Sequence, residues 1–284
     1  MKNWSQIFKQ PVSLKLYIMH TGDIHMSGNI HFNKKDSRSK SMPKDTRFNP
    51  VFSFLVEHPR HGFLLLDTGL HPCFADKKTG NFGLLLGNMV KTRTEKGMDI
   101  ASRIKSMNLS LTDVKNVILS HLHLDHPSAL PVFRGQGSPQ VYLDEREAKA
   151  GRAALGMLKG YIKSHLVGFN INHLNFSHSI PPFGSVCDFF GDGSVFALST
   201  PGHAPGHVSI LLNAGGGPIL LTFDAAHRSD NAELNIPPIG DYAEALKSIK
   251  SINDMIRQFP AMRVIYGHDP DQFSELTLAP KFYE

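Results

Sequence analysis

The chain has 284 residues, of which 41% are apolar and 19% charged; a chain of this length and composition buries a sizeable core, and global disorder is excluded. Its formal charge of +5 is mildly basic. The lysines and arginines are scattered apart from HFNKKDSRSKSMPKDTR (31–47), so a nucleic-acid-binding stripe is not expected.

In chain order, short apolar runs bounded by Gly, Pro, Asp or Asn read as buried strands. They are SLKLYIM (13–19), VFSFLVE (51–57), GFLLLDTG (62–69), VKNVILS (114–120), SVFALST (194–200), PILLTFD (218–224) and MRVIYG (262–267). Helical patterns lie between some of them, at 99–107, 144–160 and 241–259. The last places Tyr242, Leu246, Ile249, Ile256 and Phe259 on one face. Asp241 with Glu244 forms a capping box at its start and Pro260 stops it. The basic, Ser-rich segment 33–47 reads as a long exposed loop inside one domain spanning residues 1–284. Strands mixed with helices in one continuous pattern predict a layered α/β fold. Cys73 and Cys187 lack C-x-x-C spacing and read as free thiols of a reducing compartment. The N-terminus has no secretory h-region and no apolar run approaches the roughly 18–20 residues of a membrane span. A soluble cytoplasmic protein without a membrane or nucleic-acid partner is expected.

The stretch SHLHLDHPSAL (120–130) crowds His121, His123, Asp125 and His126 onto the loop that follows a predicted strand. Imidazole nitrogens and carboxylate oxygens are the usual donors to Zn²⁺ and similar ions. Neighbouring side chains this close do not all converge on one ion, so a pair of ions completed by distant ligands is the natural solution. His203 in ALSTPGHAPGH, Asp224 in LLTFDAAH and His268 in VIYGHDPDQF each follow a predicted strand, where a shared sheet rim brings them to the cluster. His207 reads as structural, hydrogen-bonding in its turn. His20, His25, His31, His165, His173 and His178 have no strand-end placement and are given no role.

HLHLDH, TPGHAPGH, the aspartate after an apolar strand, the terminal GH and the early LLLDTG (64–69) together resemble the metallo-β-lactamase superfamily. SLKLYIMHTGDI, LLTFDAAH and YGHDPDQF look like its N-acyl-homoserine lactone lactonases, the quorum-quenching branch. The resemblance implies an αββα sandwich with two divalent metal ions at one edge. It implies that His121, His123 and His203 hold one ion and Asp125, His126 and His268 the other, with Asp224 bridging and Asp67 orienting a ligand histidine. Zn²⁺ suits these donors, as do Mn²⁺, Fe²⁺ and Co²⁺. A hydroxide shared by the ions would attack the carbonyl of a small acyl lactone, and Asp125 would carry the proton to the leaving alkoxide.

Two positions depart from that family. A tyrosine commonly follows the bridging aspartate by three residues and donates to the substrate; His227 stands there, and its N–H can donate the same bond. Pro127 stiffens the turn after the cluster, where small residues and Gly are usual. The nearest alternative is a glyoxalase II-like thioesterase or other ester hydrolase, but the chain runs only sixteen residues past His268 and offers no helical C-terminal region. A phosphodiesterase or nuclease would want a basic exosite, and a flavodiiron protein a Glu at His123. Candidate walls for an acyl chain are 81–90, 154–169 and the turn at 23–29, although such runs more often form core or a homodimer interface.

Overall fold

Strand alternation decides the layering. Leu64 and Leu66 turn into a core shared by two sheets, while Leu65 between them turns outward beneath helices. Leu16 and Ile18 face inward in the same way, and Tyr17 and Met19 outward. The computed structural model describes residues 3–44, 46–135, 137–154 and 156–284.

The first sheet holds β1 (Lys15–Ser27), β2 (Thr46–His58), β3 (Gly62–Leu66), β4 (Thr92–Arg93), β5 (Val114–Ile118), β6 (Gln140–Leu143) and β7 (Ile171–His173), in the order β4-β1-β2-β3-β5-β6-β7. The second holds β8 (His178–Ile180), β9 (Phe183–Asp188), β10 (Val195–Ser199), β11 (Val208–Ala214), β12 (Gly217–Phe223) and β13 (Arg263–Tyr266), in the order β13-β12-β11-β10-β9-β8. Both are mixed: β3, β5, β6 and β7 run parallel, as do β12 and β13. Eight α-helices accompany them among the described residues: α1 (Trp4–Ile7), α2 (Gly28–His31), α3 (Gly83–Met89), α4 (Ile100–Ser106), α5 (Glu145–Arg152), α6 (Ser229–Leu234), α7 (Tyr242–Gln258) and α8 (Pro270–Phe273).

Val195, Ala197, Val208, Ile210, Leu212, Ile219 and Leu221 of the second sheet meet Phe52, Phe54, Val56, Leu64 and Leu66 of the first. Ile100 and Ile104 of α4 and Ala148 of α5 cover the outer face of the first sheet. Ile249, Ile252 and Met255 of α7, with Trp4 of α1, cover the outer face of the second. This is the αββα sandwich expected from the sequence.

Several boundaries differ from the sequence reading. β1 runs through Ser27 and α2 starts at Gly28, so 23–27 is strand and 28–29 helix where a turn was expected, and Ile24 and Met26 are buried there. The helix expected over 144–160 stops at Arg152, which frees the following 3₁₀ turn (Gly156–Lys159) to fold back. β11 was not expected from the sequence because VSILLNA continues directly from the TPGHAPGH loop with no bounding residue of its own between them. Segment 33–44 is exposed along most of its length, but Asn33 and Asp36 are buried. Asn33 Nδ2 donates to the Pro238 and Gly240 carbonyls, and the Asp36 carboxylate accepts from Arg38 and Tyr242. Thr46 and Arg47, the end of the expected loop, already belong to β2. Among the described residues no helix is long and apolar enough to cross a membrane.

The layering predicts unequal costs for equal truncations. Leu65→Ala, at a fully buried position, should lower the unfolding free energy by about 2–5 kcal/mol. Leu84→Ala, on a side chain 80% exposed, should stay within about 0.5 kcal/mol. Urea unfolding of both variants measures the difference.

Candidate metal centre

Parallel strands deliver their carboxyl ends to one edge, and this edge carries the site. β3 ends at Leu66 because Asp67 takes a φ of 54°, a left-handed conformation that costs on the order of 1–3 kcal/mol at a non-glycine residue. Its carboxylate offsets that strain. Oδ1 accepts the Ser120 N–H at 2.7 Å, and Oδ2 accepts the Ser120 hydroxyl at 2.6 Å and the His126 Nδ1–H at 2.7 Å. Thr68 and Gly69 add backbone bonds to the His126 carbonyl. The loop after β5 is thereby clamped to the end of β3.

These bonds fix which imidazole nitrogens carry protons. The Ser120 hydroxyl hydrogen is given to Asp67, so its oxygen accepts from His121 Nδ1 at 3.0 Å. His203 Nδ1 donates to the Ile239 carbonyl at 3.1 Å and His268 Nδ1 to the Pro50 carbonyl at 2.8 Å. His126 Nδ1 is spent on Asp67. A neutral imidazole carries one proton, so in that form the Nε2 atoms of His121, His126, His203 and His268 all present lone pairs. Against burial, the Asp125, Asp224 and Asp67 carboxylates hold His126, and Asp224 and Asp125 hold His268, above the ordinary imidazole range, so a cation at the second group would take the place of those protons.

Those lone pairs converge in two groups. In the first, His121 Nε2 and His203 Nε2 lie 3.0 and 2.7 Å from His123 Nδ1, and 3.7 and 3.2 Å from Asp224 Oδ2. A single proton on His123 cannot serve both nitrogens and the oxygen as well. In the second, His126 Nε2 and His268 Nε2 lie 3.7 and 3.6 Å from Asp125 Oδ2, and 3.4 and 3.2 Å from Asp224 Oδ1. Asp125 Oδ2, Asp224 Oδ1 and both Nε2 atoms are buried with no hydrogen-bond partner. Buried acceptors facing acceptors are repulsive unless positive charge lies among them. Burial first, and then its neighbours (chiefly His126 for His121, His203 for His123), hold His121 and His123 well below the ordinary imidazole range. They therefore stand as neutral donors, the form a metal takes. His121, His123, His203 and Asp224 could hold one ion, and Asp125, His126 and His268 another. The structure brings together all seven residues singled out in the sequence, and divides them the same way around Asp224.

The remaining histidines sort by their partners. His207 Nε2 accepts the Asp224 N–H at 3.0 Å while its Nδ1 faces the Thr200 hydroxyl at 2.9 Å, so it fixes the backbone of the shared aspartate. His227 is fully buried, and its Nε2 lies 3.2 Å from Asp224 Oδ2. The donor expected to face a substrate faces that carboxylate. His31, given no role from sequence, packs edge-on against His227 with ring centroids 5.3 Å apart. His58, His61 and Asp192 form a further cluster, but it is not a metal site. His58 Nδ1 accepts the N–H groups of Arg60 and His61, which leaves the proton on Nε2, and the Arg60 guanidinium already occupies Asp192 at 2.6 Å.

A cavity of about 760 Å³ opens beside the first group. His123, His203 and Tyr161 line it together with Leu158, Lys159 and Ile239. Of the three stretches proposed as acyl-chain walls, 154–169 reaches this cavity. In 81–90, Phe82 is buried while Leu84, Leu85 and Met89 are exposed. Sequence reasoning missed Tyr161, whose ring stacks on His123 at 5.3 Å. It also missed Glu147, a fully buried carboxylate on α5. The signal for Glu147 was available: it shares the inward face of its helix with Ala148 and Gly151, and a charge on such a face needs a partner.

Residues 46–268 match the family model of the metallo-beta-lactamase superfamily. The chain belongs to that superfamily. Within it, the N-acyl homoserine lactonase AttM of Rhizobium radiobacter is 29% identical over 281 residues, covering 95% of this chain and 98% of the relative. Among solved structures, an N-acyl homoserine lactone hydrolase with N-hexanoyl-L-homoserine at its catalytic metal centre superposes with a TM-score of 0.77 at 24% identity, over 96% of this chain and 100% of that one. The dizinc quorum-quenching lactonase AidC superposes with a TM-score of 0.64 at 18% identity, over 96% and 94%. These superpositions establish the metallo-beta-lactamase fold.

The bond from His207 to Asp224 yields a prediction within this metallo-beta-lactamase site. His207→Phe keeps a ring but strands the buried Asp224 N–H, and should destabilise the protein by about 1–3 kcal/mol. A shift of the urea midpoint at unchanged slope would register it.

Proposed function

We propose that the protein is a dinuclear-metal hydrolase that opens the lactone ring of N-acyl-homoserine lactones. The observation that carries the hydrolase reading is the double convergence of buried lone pairs on the two oxygens of Asp224. The lactone reading draws on the relative of 29% identity along nearly the whole chain, itself named an N-acyl homoserine lactonase. We read residues 1–284 as one catalytic unit.

His121, His123, His203 and Asp224 would hold one divalent ion, and Asp125, His126, His268 and Asp224 the other. Zn²⁺ matches a donor set rich in imidazole. When bound, the ions supply Lewis acidity that brings water toward ionisation near neutral pH and polarises a carbonyl.

The chain's own groups do the rest. Leu158 and Ile239 offer apolar wall to an acyl chain entering past Tyr161. Hydrolysis adds a water oxygen to the carbonyl carbon, breaks the ring C–O bond and moves one proton to the departing alkoxide. Asp125 would face the second ion with Oδ2 and would receive and pass on that proton through its other carboxylate oxygen. His227 Nε2 holds Asp224 Oδ2 from the side, so its contribution is to keep the shared carboxylate in place.

The test is ring opening by zinc-loaded protein, followed by proton release with N-acyl-homoserine lactones of short and long acyl chain. Fast, chelator-sensitive opening is expected. His123→Ala and Asp125→Ala should each lose on the order of 100-fold or more, beyond the cost of removing an outer partner. Zinc-loaded protein that leaves lactones intact and cleaves an acyl thioester would replace this reading with the thioesterase one.

A further inference from the structure

Glu147 lies outside both ligand groups, yet it joins the two loops that carry the nitrogen donors of the first. Its Oε1 accepts the N–H of Leu122, the residue between His121 and His123, at 3.0 Å. Its Oε2 accepts the N–H of Gly206, three residues beyond His203, at 2.9 Å. Tyr161, whose ring stacks on His123, has its hydroxyl beside the same carboxylate. The side chain is fully buried, so these donors are what compensates its removal from water.

Packing independently marks the contact as built. A Cβ on Gly206 would fall 2.4 Å from the Glu147 nitrogen and 2.7 Å from its Cβ, so only glycine lets α5 approach that loop. A Cβ on Gly151, one helical turn further along α5, would fall 2.6 Å from Leu122 Cδ1. The helix grips both loops through a glycine each, and its carboxylate closes the grip. The second group has no such tie to Glu147: His126 is held by Asp67 and His268 by the Pro50 carbonyl.

We propose that Glu147 is a positioning residue that fixes the separation of the His121–His123 loop and the His203 loop, and thereby sets the affinity of the three-histidine ion without setting that of the other. This rests on the reading of the two groups as metal sites. Two backbone hydrogen bonds to one rigidly packed carboxylate hold the imidazoles at ligand spacing before the ion arrives. Losing one lets the loops separate, and the ion must then draw them together itself.

Glu147→Gln tests this with little change of shape, because its amide nitrogen turns a donor toward one of the two backbone N–H groups. Metal-free protein is titrated with Zn²⁺ in competition with a chromophoric chelator. Wild type should bind two ions per chain. E147Q should weaken one ion by about 10–100-fold, the usual cost of an outer partner, and leave the second unchanged. Ile249→Val, on the buried face of α7, controls for stability alone and should leave both affinities in place. Should E147Q not fold, Tyr161→Phe carries the test, removing the hydroxyl beside the carboxylate while keeping the ring on His123; it should weaken the same ion by a few-fold. Equal weakening of both ions, or two wild-type affinities in the folded variant, overturns the proposal. Wild type that binds fewer than two ions contradicts the metal reading instead, so the two failures are distinguishable.

Discussion

Asp224 holds the structure's central constraint: each of its two oxygens faces a separate set of imidazole lone pairs inside the protein. Such an arrangement is repulsive unless positive charge lies among the groups, and rigid neighbours forbid them to move apart. The neighbours are specific. His207 holds the Asp224 backbone, His227 holds Oδ2, and the Nδ1 atoms of His121, His126, His203 and His268 are spent on an alcohol, a carboxylate and two carbonyls. Those bonds choose the tautomer that leaves Nε2 bare. The strained backbone of Asp67 belongs to the same economy, since its left-handed turn aims one carboxylate at both Ser120 and His126.

The site also requires the sandwich to be closed. The first sheet supplies Asp67 and the loop with His121, His123, Asp125 and His126, while the second supplies His203, Asp224 and His268. The apolar layer between them sets their separation, and one backbone bond crosses directly, from the Val208 N–H to the Ser120 carbonyl at 3.0 Å. At the far end, Gly267 and His268 donate to the Ala226 and His227 carbonyls, which ties β13 to the turn carrying Asp224. A packing defect in the shared core would therefore be felt at the ligands, because close-packed interiors transmit displacement. Glu147 adds a tie from the helical layer, and the site draws on three of the four layers.

Much of this was legible in the sequence for a physical reason. Strands of Leu, Ile and Val bounded by turn residues announce themselves, and ligands placed just after them share a rim whatever the details of topology. The seven candidate residues were singled out on that logic, and the fold brings their side chains together. What escaped was context. The end of the helix after Asp144 depends on packing at Gly151 and on the return of Tyr161 to His123, neither of which periodicity reveals. The short edge strands β7 and β8 carry little pattern of their own. For His227, the sequence marks an unusual residue three places after Asp224, but only the fold shows its ring enclosed and turned toward that carboxylate. Asn33 and Asp36 look like loop polarity in the sequence, and their burial comes from partners about two hundred residues away.

The central claim is that two separate cations occupy the two groups on either side of Asp224. Anomalous diffraction from crystals of the zinc-loaded protein, collected at the metal absorption edge, tests it most directly. The account predicts two peaks, one among His121, His123 and His203 and the other among Asp125, His126 and His268. A single peak, or density that falls on the His58–His61–Asp192 cluster instead, would contradict it.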